Sequence, residues 1–167
     1  DDVESRGLGD VYKRQDYVQE HLRIMSAFYG VLKPMDGITP YRLEMQAKAA
    51  IGHYKNLYEF WGEKLYREVM DDSGIIINLA SKEYSKCIEK YLTPADRYIT
   101  ITFCEKSGDK LITKGTYAKM ARGEMVRYMA ENHIEKPDDI RSFNRLGYVF
   151  RGEISSGNEY IFERIVE

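Results

Sequence analysis

The sequence predicts a single domain of the α+β or mixed α/β class, in which helices flank a mixed sheet, and three observations support this prediction. The 167 residues are enough to bury one core. A content of 43% hydrophobic and 31% charged residues is typical of a globular protein. Stretches with helical spacing of apolar residues also alternate with short β-branched or alternating stretches. We therefore expect helices and strands in one chain.

The helical spacing of apolar residues predicts helices over 16–29, 56–70 and 114–132. Gly30 is placed to end the first of them, and Ser81 is placed to cap a further helix that runs through 84–90. Pro137 is expected to open a short helix, because proline is tolerated in the first turn.

The strand predictions rest on alternation and on β-branched runs. Residues 41–45 alternate well enough for a short strand, and 75–78 (IIIN) has the composition of a buried one. Residues 98–104 place Ile99, Ile101 and Phe103 on one face. The loop 106–110 suits a hairpin into 111–113, and 147–151 and 159–164 predict a closing strand pair.

The first fifteen residues differ from the rest of the chain. The stretch SRGLGDVYKRQ (5–15) is interrupted by glycines and has no apolar period. It can be back-translated into one frame of the transposase adapter used in DNA library preparation, and all eleven residues fit. We therefore predict that residues 1–15 are a non-native, disordered tail. The alternative is a native flexible segment.

The charge balance excludes a generally basic nucleic-acid coat. Without residues 1–15 the chain has 22 Lys and Arg against 23 Asp and Glu, a net charge of −1. Nucleic-acid binding would therefore need a local basic patch. Cys87 and Cys104 form no CxxC pair, which favours a reduced cytoplasmic setting. No apolar run approaches the roughly 20 residues of a membrane helix, so we expect no membrane partner.

Two polar groups follow a proline-flanked loop. Arg42 and Glu44 lie two positions apart in PYRLEM, so in a strand they would share a face. They could then form a solvated ion pair or bind one ligand. Glu44 is the candidate catalytic residue, as a general acid or base, provided that it is buried.

Three further residues are candidates for lining a cleft. Asn78 ends the predicted buried strand, and Ser81 precedes a helix whose first N–H groups can bind an anion. Ser81 could equally serve only as the helix cap. Trp61 could stack on a base, although its place in the apolar stripe of 56–70 favours a core position.

A basic helix is the strongest local charge feature. Lys119 and Arg122 lie three apart in TYAKMARGEM and share a face, and Lys114 and Arg127 lie nearby. Phosphate binding and a solvated helix face both fit this pattern. The three histidines are scattered without metal-ligand spacing, so we expect no metal site and no cofactor.

Five motifs occur in an order that resembles the bacterial peroxide stress protein YaaA family. They are IMSAFYGVLKPMDGITPYRLEM (24–45), LYEFWG (57–62), INLASKEY (77–84), YAKMARGEMVRY (117–128) and FNRLGYVF (143–150). The similarity extends from about residue 16 to near the C-terminus, so 16–167 is expected to be the C-terminal portion of a single YaaA-like domain. Family members open with a strand that ends in a Ser-Pro-Ala-Lys motif, and nothing here matches it.

The resemblance implies a cytoplasmic protein that limits peroxide damage by keeping unincorporated iron low. It also implies a basic cleft and a helix-hairpin-helix-like DNA-binding element, expected here around Arg23 to Asp36. The implied partner is double-stranded DNA, bound without sequence specificity. The candidate phosphate contacts are Lys33, Arg42, Lys119, Arg122 and Arg127. The alternative is an enzyme that processes a nucleobase or nucleotide in the same cleft; a third hypothesis, direct iron sequestration, is disfavoured by the ligand spacing.

Overall fold

The computed structural model describes residues 2–166, with side chains from residue 9 onward. The helices are α1 (Asp2–His21), α2 (Leu57–Trp61), α3 (Lys64–Val69), α4 (Lys82–Glu89), α5 (Gly115–Glu131) and a 3-10 helix (Pro137–Ser142). The strands are β1 (Ile24–Ser26), β2 (Gly30–Leu32), β3 (Ile75–Asn78), β4 (Arg97–Ser107), β5 (Lys110–Ile112), β6 (Tyr148–Phe150) and β7 (Glu159–Arg164).

The predicted class, helices with a mixed sheet, is confirmed. β4 pairs in parallel with β7 and antiparallel with β5, and β6 pairs antiparallel with β7. The order of the five strands is β3-β4-β7-β6, with β5 paired to β4. The chain divides into two compact units: unit 1 comprises 1–21 and 99–167, and unit 2 comprises 22–98. The predicted domain boundary at residue 16 stays a prediction.

Unit 1 builds its core on one face of β4 and β7. Ile99, Ile101 and Phe103 are buried, as the alternation predicts. The Phe103 ring lies 5.7 Å from that of Phe162, its partner in the parallel register. Phe143 makes an edge-on contact with each of them, at 5.9 and 5.6 Å. The predicted hairpin into β5 and the pairing of β6 with β7 are also confirmed.

The two long helices of unit 1 are α1 and α5. α5 matches the predicted helix 114–132 to within one residue at each end. α1 runs through residues 2–15, for which the sequence predicts a disordered, non-native tail; the origin of these residues stays a prediction. Tyr17 of α1 donates a hydrogen bond to the carbonyl oxygen of Ile134 at 2.6 Å. Burial raises the pKa of Tyr17 to about 12, and the nearby Glu135 acts in the same direction.

The chain of unit 2 begins with a β-hairpin where the sequence predicts a helix. The helix predicted over 16–29 ends at His21, and β1 and β2 pair antiparallel with Ile24 opposite Leu32. The hydroxyl of Ser26 accepts a hydrogen bond from the N–H of Tyr29 at 3.0 Å, which fixes the turn. Gly30 has a φ of +86°, which residues with a side chain rarely adopt.

A contact distant in sequence explains why the hairpin forms. A Cβ atom on Gly30 would lie 2.9 Å from Cζ3 of Trp61, so the indole packs directly on the glycine backbone. The indole N–H donates to the carbonyl oxygen of Ala27 at 2.9 Å, within the same turn. Helical spacing over 16–29 is a local signal, and it is overridden by this packing. The helix-hairpin-helix-like element that the resemblance implies around 23–36 is not formed there, because β1 and β2 occupy this segment.

The helix predicted over 56–70 is divided into α2 and α3. Gly62 lies between them with a φ of +51°, and its N–H donates to the carbonyl oxygen of Tyr58 at 3.0 Å, which terminates α2. Leu57 and Leu65 are nevertheless buried together in the core of unit 2, as the predicted stripe requires. Strand β3 and helix α4 are confirmed, whereas the strand predicted over 41–45 is absent from the described chain.

Candidate functional site

Two of the predicted phosphate contacts lie on a shaped loop of unit 2. Lys33 follows β2, and its N–H donates to the carboxylate of Asp36 at 2.8 Å. The N–H of Thr39 donates to the hydroxyl of Tyr29 at 2.9 Å and ties the loop to the hairpin. Lys33 and Arg42 are both exposed, and neither forms an ion pair with another residue in the described part of the chain. Their charges are therefore available to an anion.

The pairing of Arg42 with Glu44 that a strand would favour is not formed. No strand covers 41–45, and no ion pair joins the two side chains among the described residues. Glu44 is exposed, and its carbonyl oxygen accepts from the N–H of Ala47 at 3.0 Å in a turn. The burial that a general acid or base at Glu44 requires is thus missing.

Two of the three predicted cleft candidates, Trp61 and Asn78, hold local structure through their side chains. Trp61 packs on the β1–β2 hairpin through its ring and its indole N–H. Asn78 is buried, and its side-chain oxygen accepts from the N–H of Ala80 at 3.0 Å, which turns the chain from β3 towards α4. Ser81 occupies the predicted N-cap position of α4, but its side chain makes no capping hydrogen bond.

The predicted cations of α5 have different environments. Lys119 is exposed and Arg122 half-buried, and neither forms an ion pair within residues 9–166. Arg127 donates to Glu131 at 2.7 Å, one helical turn away. This hydrogen bond raises the pKa of Arg127 and lowers that of Glu131. A DNA contact by Arg127 stays a prediction, and it would have to compete with this ion pair.

An arginine–glutamate network continues from Arg127. Arg145 donates to Glu131 at 2.6 Å and to Glu124 at 3.1 Å, and its guanidinium lies over the ring of Tyr128. The name arginine–glutamate network refers to Glu124, Arg127, Glu131 and Arg145. Each cation of the network faces a carboxylate, so the network links α5 to the loop before β6 rather than presenting positive charge.

A cleft in unit 2, the lysine cleft, was not found by sequence reasoning. Its lining residues are Met45, Gln46, Ala47, Lys48, Ala50, Lys55, Asn56, Tyr58 and Lys86. Lys48 and Lys55 come from the loop before α2, whereas Lys86 comes from α4 and is distant from both in the sequence. Lys48 and Lys55 stand among small residues in QAKAAIGHYKN, but no spacing rule joins them to Lys86. Only the fold brings them together.

Hydrogen bonds to α4 hold two walls of the lysine cleft. The N–H of Gln46 donates to the Glu83 carboxylate at 3.1 Å, and the hydroxyl of Tyr58 donates to the Glu83 carbonyl oxygen at 2.8 Å. Burial raises the pKa of Tyr58, which favours the protonated form that donates this hydrogen bond. Asn56 caps α2 by accepting from the N–H of Glu59 at 2.9 Å.

Neither a metal site nor a membrane-spanning helix is found among the described residues. No three His, Cys, Asp or Glu side chains group there as metal ligands would. In the same residues, no helix has the length and apolarity needed to cross a membrane.

A family model described as "Peroxide stress protein YaaA" matches residues 11–154. The chain belongs to the YaaA family. It is 75% identical over 149 residues to a UPF0246 protein of Agathobacter rectalis, covering 89% of this chain and 60% of that protein. A UPF0246 protein of Lachnoclostridium phytofermentans is 54% identical over 147 residues, covering 88% of this chain and 58% of the relative. The chain therefore spans about 60% of the length of the curated relatives it matches. The description of the family model associates the family with peroxide stress.

Proposed function

We propose that the protein serves the peroxide stress response by binding duplex DNA without sequence specificity. The observation that supports this function is that four of the five predicted phosphate contacts form no ion pair among the described residues. The side-chain cations of Lys33, Arg42, Lys119 and Arg122 form no ion pair with a carboxylate among the described residues, so each can neutralise a phosphate. Phosphate contacts fix a protein on a duplex but do not select a sequence.

The proposed consequence of DNA binding is a lower level of unincorporated iron. This step and the cytoplasmic location are proposed on the basis of the family resemblance alone. They are tested by measuring the chelatable iron of peroxide-treated cells by electron paramagnetic resonance. Cells that express the wild-type protein should hold less chelatable iron than cells that express Lys119→Ala/Arg122→Ala. Equal levels would show that these DNA contacts are not needed to lower the level of chelatable iron.

The alternative function, processing of a nucleobase or nucleotide, depends on Glu44 as its acid or base. A general acid or base has its pKa shifted towards neutrality by burial, and Glu44 is exposed. The exposure of Glu44 therefore favours the binding function. Product formation from damaged DNA, lost in Glu44→Gln, would reverse this preference.

The DNA proposal is tested by duplex titration at several salt concentrations. Arg122→Ala should weaken binding. It should also make the plot of log K against log salt less steep, with a slope about 1 smaller in magnitude, because one phosphate contact is lost. Arg127→Ala is the matched control, since it removes the same charge from the same helix but from a residue that is held by Glu131. We expect a smaller change in the slope for this control.

Three results of the titration would contradict the proposal. They are an absence of binding at low salt, binding that does not depend on salt, and equal effects of the two substitutions. The last result would indicate that only the net charge of the protein matters.

A further inference from the structure

The lysine cleft has the dimensions of a small-molecule site. It is an open depression with a volume of about 570 Å³, and ligand sites in proteins span roughly 300 to 1,000 Å³. It lies entirely in unit 2, and none of the predicted DNA contacts lines it. A function of this cleft would therefore be additional to the proposed DNA binding.

The lining residues of the cleft include three lysines and no acidic residue, and the nearby carboxylates of Glu83 and Glu59 accept the backbone N–H groups of Gln46 and Lys55. Lys48, Lys55 and Lys86 are exposed, and none of them forms an ion pair within the part of the chain that the structure describes. Other lysines do form them: Lys114, for example, lies 3.5 Å from Glu105. A concave surface that holds three like charges concentrates a positive potential and attracts an anion. A lysine ammonium is a common partner of phosphate.

The walls of the cleft are held in place before any ligand arrives. Glu83 of α4 accepts the N–H of Gln46 through its carboxylate and the hydroxyl of Tyr58 through its backbone carbonyl. Met45, next to Gln46, is fully buried and anchors the same loop. A site that is already ordered loses less entropy when it binds a ligand.

The remaining lining residues suit a second, apolar part of a ligand. Ala47, Ala50 and Tyr58 bring methyl and ring groups to the same cleft as the lysines. An aromatic side chain offers a face on which a nucleobase can stack. Asn56 contributes an amide that can form hydrogen bonds with polar atoms.

From this combination we infer that the lysine cleft binds a small molecule that carries a diphosphate and an aromatic base, of the size of a nucleoside diphosphate. The three lysines bind the phosphates, and the apolar wall holds the base. The inference does not depend on the DNA proposal, because it uses different residues in a different unit.

The test is calorimetric titration of the wild-type chain and its variants with ADP and with inorganic pyrophosphate. Lys86→Gln should raise the dissociation constant of ADP about tenfold, the effect of losing about 1.4 kcal/mol of binding energy. Lys82→Gln is the matched control, because Lys82 lies one turn away on α4, is exposed, and does not line the cleft. It should change the constant less than about twofold, which is the level expected for a screened surface charge.

A second variant shows whether the effect of Lys86→Gln could be due to a folding defect. Lys55→Gln changes a different wall of the cleft and should also weaken ADP binding, while the circular dichroism spectrum stays that of the wild type. Pyrophosphate should bind more weakly than ADP but should respond to the same lysines. Agreement between Lys55→Gln and Lys86→Gln would support the site.

Three outcomes would overturn all or part of the inference. If neither ligand binds at millimolar concentration, the phosphate site does not exist. If Lys82→Gln weakens binding as much as Lys86→Gln, the attraction is a general surface effect rather than a property of the cleft. If ADP and pyrophosphate bind equally well, the nucleoside part is wrong. Duplex titration of Lys86→Gln keeps the two proposals apart, since the DNA proposal expects it to bind duplex as the wild type does.

Discussion

The arginine–glutamate network of unit 1 and the lysine cleft of unit 2 use positive charge in opposite ways. In the network, Arg145 is shared by Glu124 and Glu131, and Arg127 also pairs with Glu131. In the cleft, the ammonium groups of Lys48, Lys55 and Lys86 form no ion pair with a carboxylate among the described residues. The count of basic residues therefore does not show where an anion can bind.

A second set of ion pairs makes the contrast sharper. On β7 of unit 1, Glu163 is buried and accepts a hydrogen bond from Arg151 at 2.7 Å. Arg151 also pairs with Glu153. A buried carboxylate needs a partner of opposite charge, because transfer of an unpaired charge out of water is strongly unfavourable. Cations of this kind contribute to stability, and the cations of the cleft are expected to contribute to binding.

The largest expected effect is that of Arg151→Ala. The substitution leaves the buried Glu163 carboxylate without its cation, and we expect the midpoint of thermal unfolding to fall by about 5 to 10 °C. Circular dichroism during heating measures this. The double variant Arg151→Met/Glu163→Leu should recover most of the loss, since no buried charge then remains. An unchanged midpoint in Arg151→Ala would remove the basis for assigning these cations a structural role.

A smaller effect separates two arginines of the network. Arg145→Ala removes contacts with two carboxylates and with the Tyr128 ring, so the unfolding midpoint should fall by about 3 to 5 °C. Arg127→Ala removes one exposed i,i+4 pair and should lower it by about 1 °C. If the two variants are equally stable, the network is no more than a set of surface ion pairs.

Cys87, next to Lys86 in the sequence, has a buried thiol. Its pKa shows whether the lysines of the cleft affect ionisation in the core of unit 2. Burial raises the pKa of Cys87 to about 11, and Glu83 also raises it. In the folded state the thiol therefore keeps its proton to higher pH than in the unfolded state. Its contribution to stability is complete below the ordinary thiol pKa and is lost as pH rises towards 11.

The measurement for Cys87 is the rate of alkylation against pH in a Cys104→Ala background, together with urea unfolding at each pH. We expect little reaction at neutral pH and a fall in stability on the alkaline side, which Cys87→Ala should abolish. Titration of the thiol near its ordinary pKa, at roughly 8.5, would mean that nearby cations oppose the effect of burial.

The smallest expected effect on stability is that of the cleft lysines. Lys48→Gln and Lys55→Gln should leave the unfolding midpoint within about 1 °C of the wild type, because neither removes an ion pair. A small increase in stability is compatible with the relief of repulsion between like charges. A large decrease in either variant would show that the lysines have structural partners, and the contrast with the network would fail.

Several elements of the fold were determined by the sequence alone. The alternation that places Ile99, Ile101 and Phe103 on one face predicted β4, and the helical spacing over 114–132 predicted α5. The hairpin into β5, the 3-10 helix opened by Pro137 and the pairing of β6 with β7 were predicted in the same way. In each case the local pattern and the final packing agree.

The hairpin of β1 and β2 was decided by tertiary structure. Val18, Leu22, Met25 and Tyr29 have helical spacing, yet the helix ends at His21. The decisive contact joins Gly30 to Trp61, which lies 31 positions further along the chain. A pattern within a short window cannot contain such a contact. The break at Gly62 was visible as a glycine, but its backbone conformation was not.

In the candidate site too, some properties were determined by the sequence and others by the tertiary structure. The sequence by itself determined the family, the fold class and the residue types that can bind a phosphate. The tertiary structure decided which cations have partners: Arg127 has Glu131, whereas Arg122, five positions earlier on α5, has no carboxylate partner among the described residues. It also brought Lys48, Lys55 and Lys86 into one cleft. The physical reason is that electrostatic interaction depends on distance in space and on burial, and neither is a function of spacing along the chain.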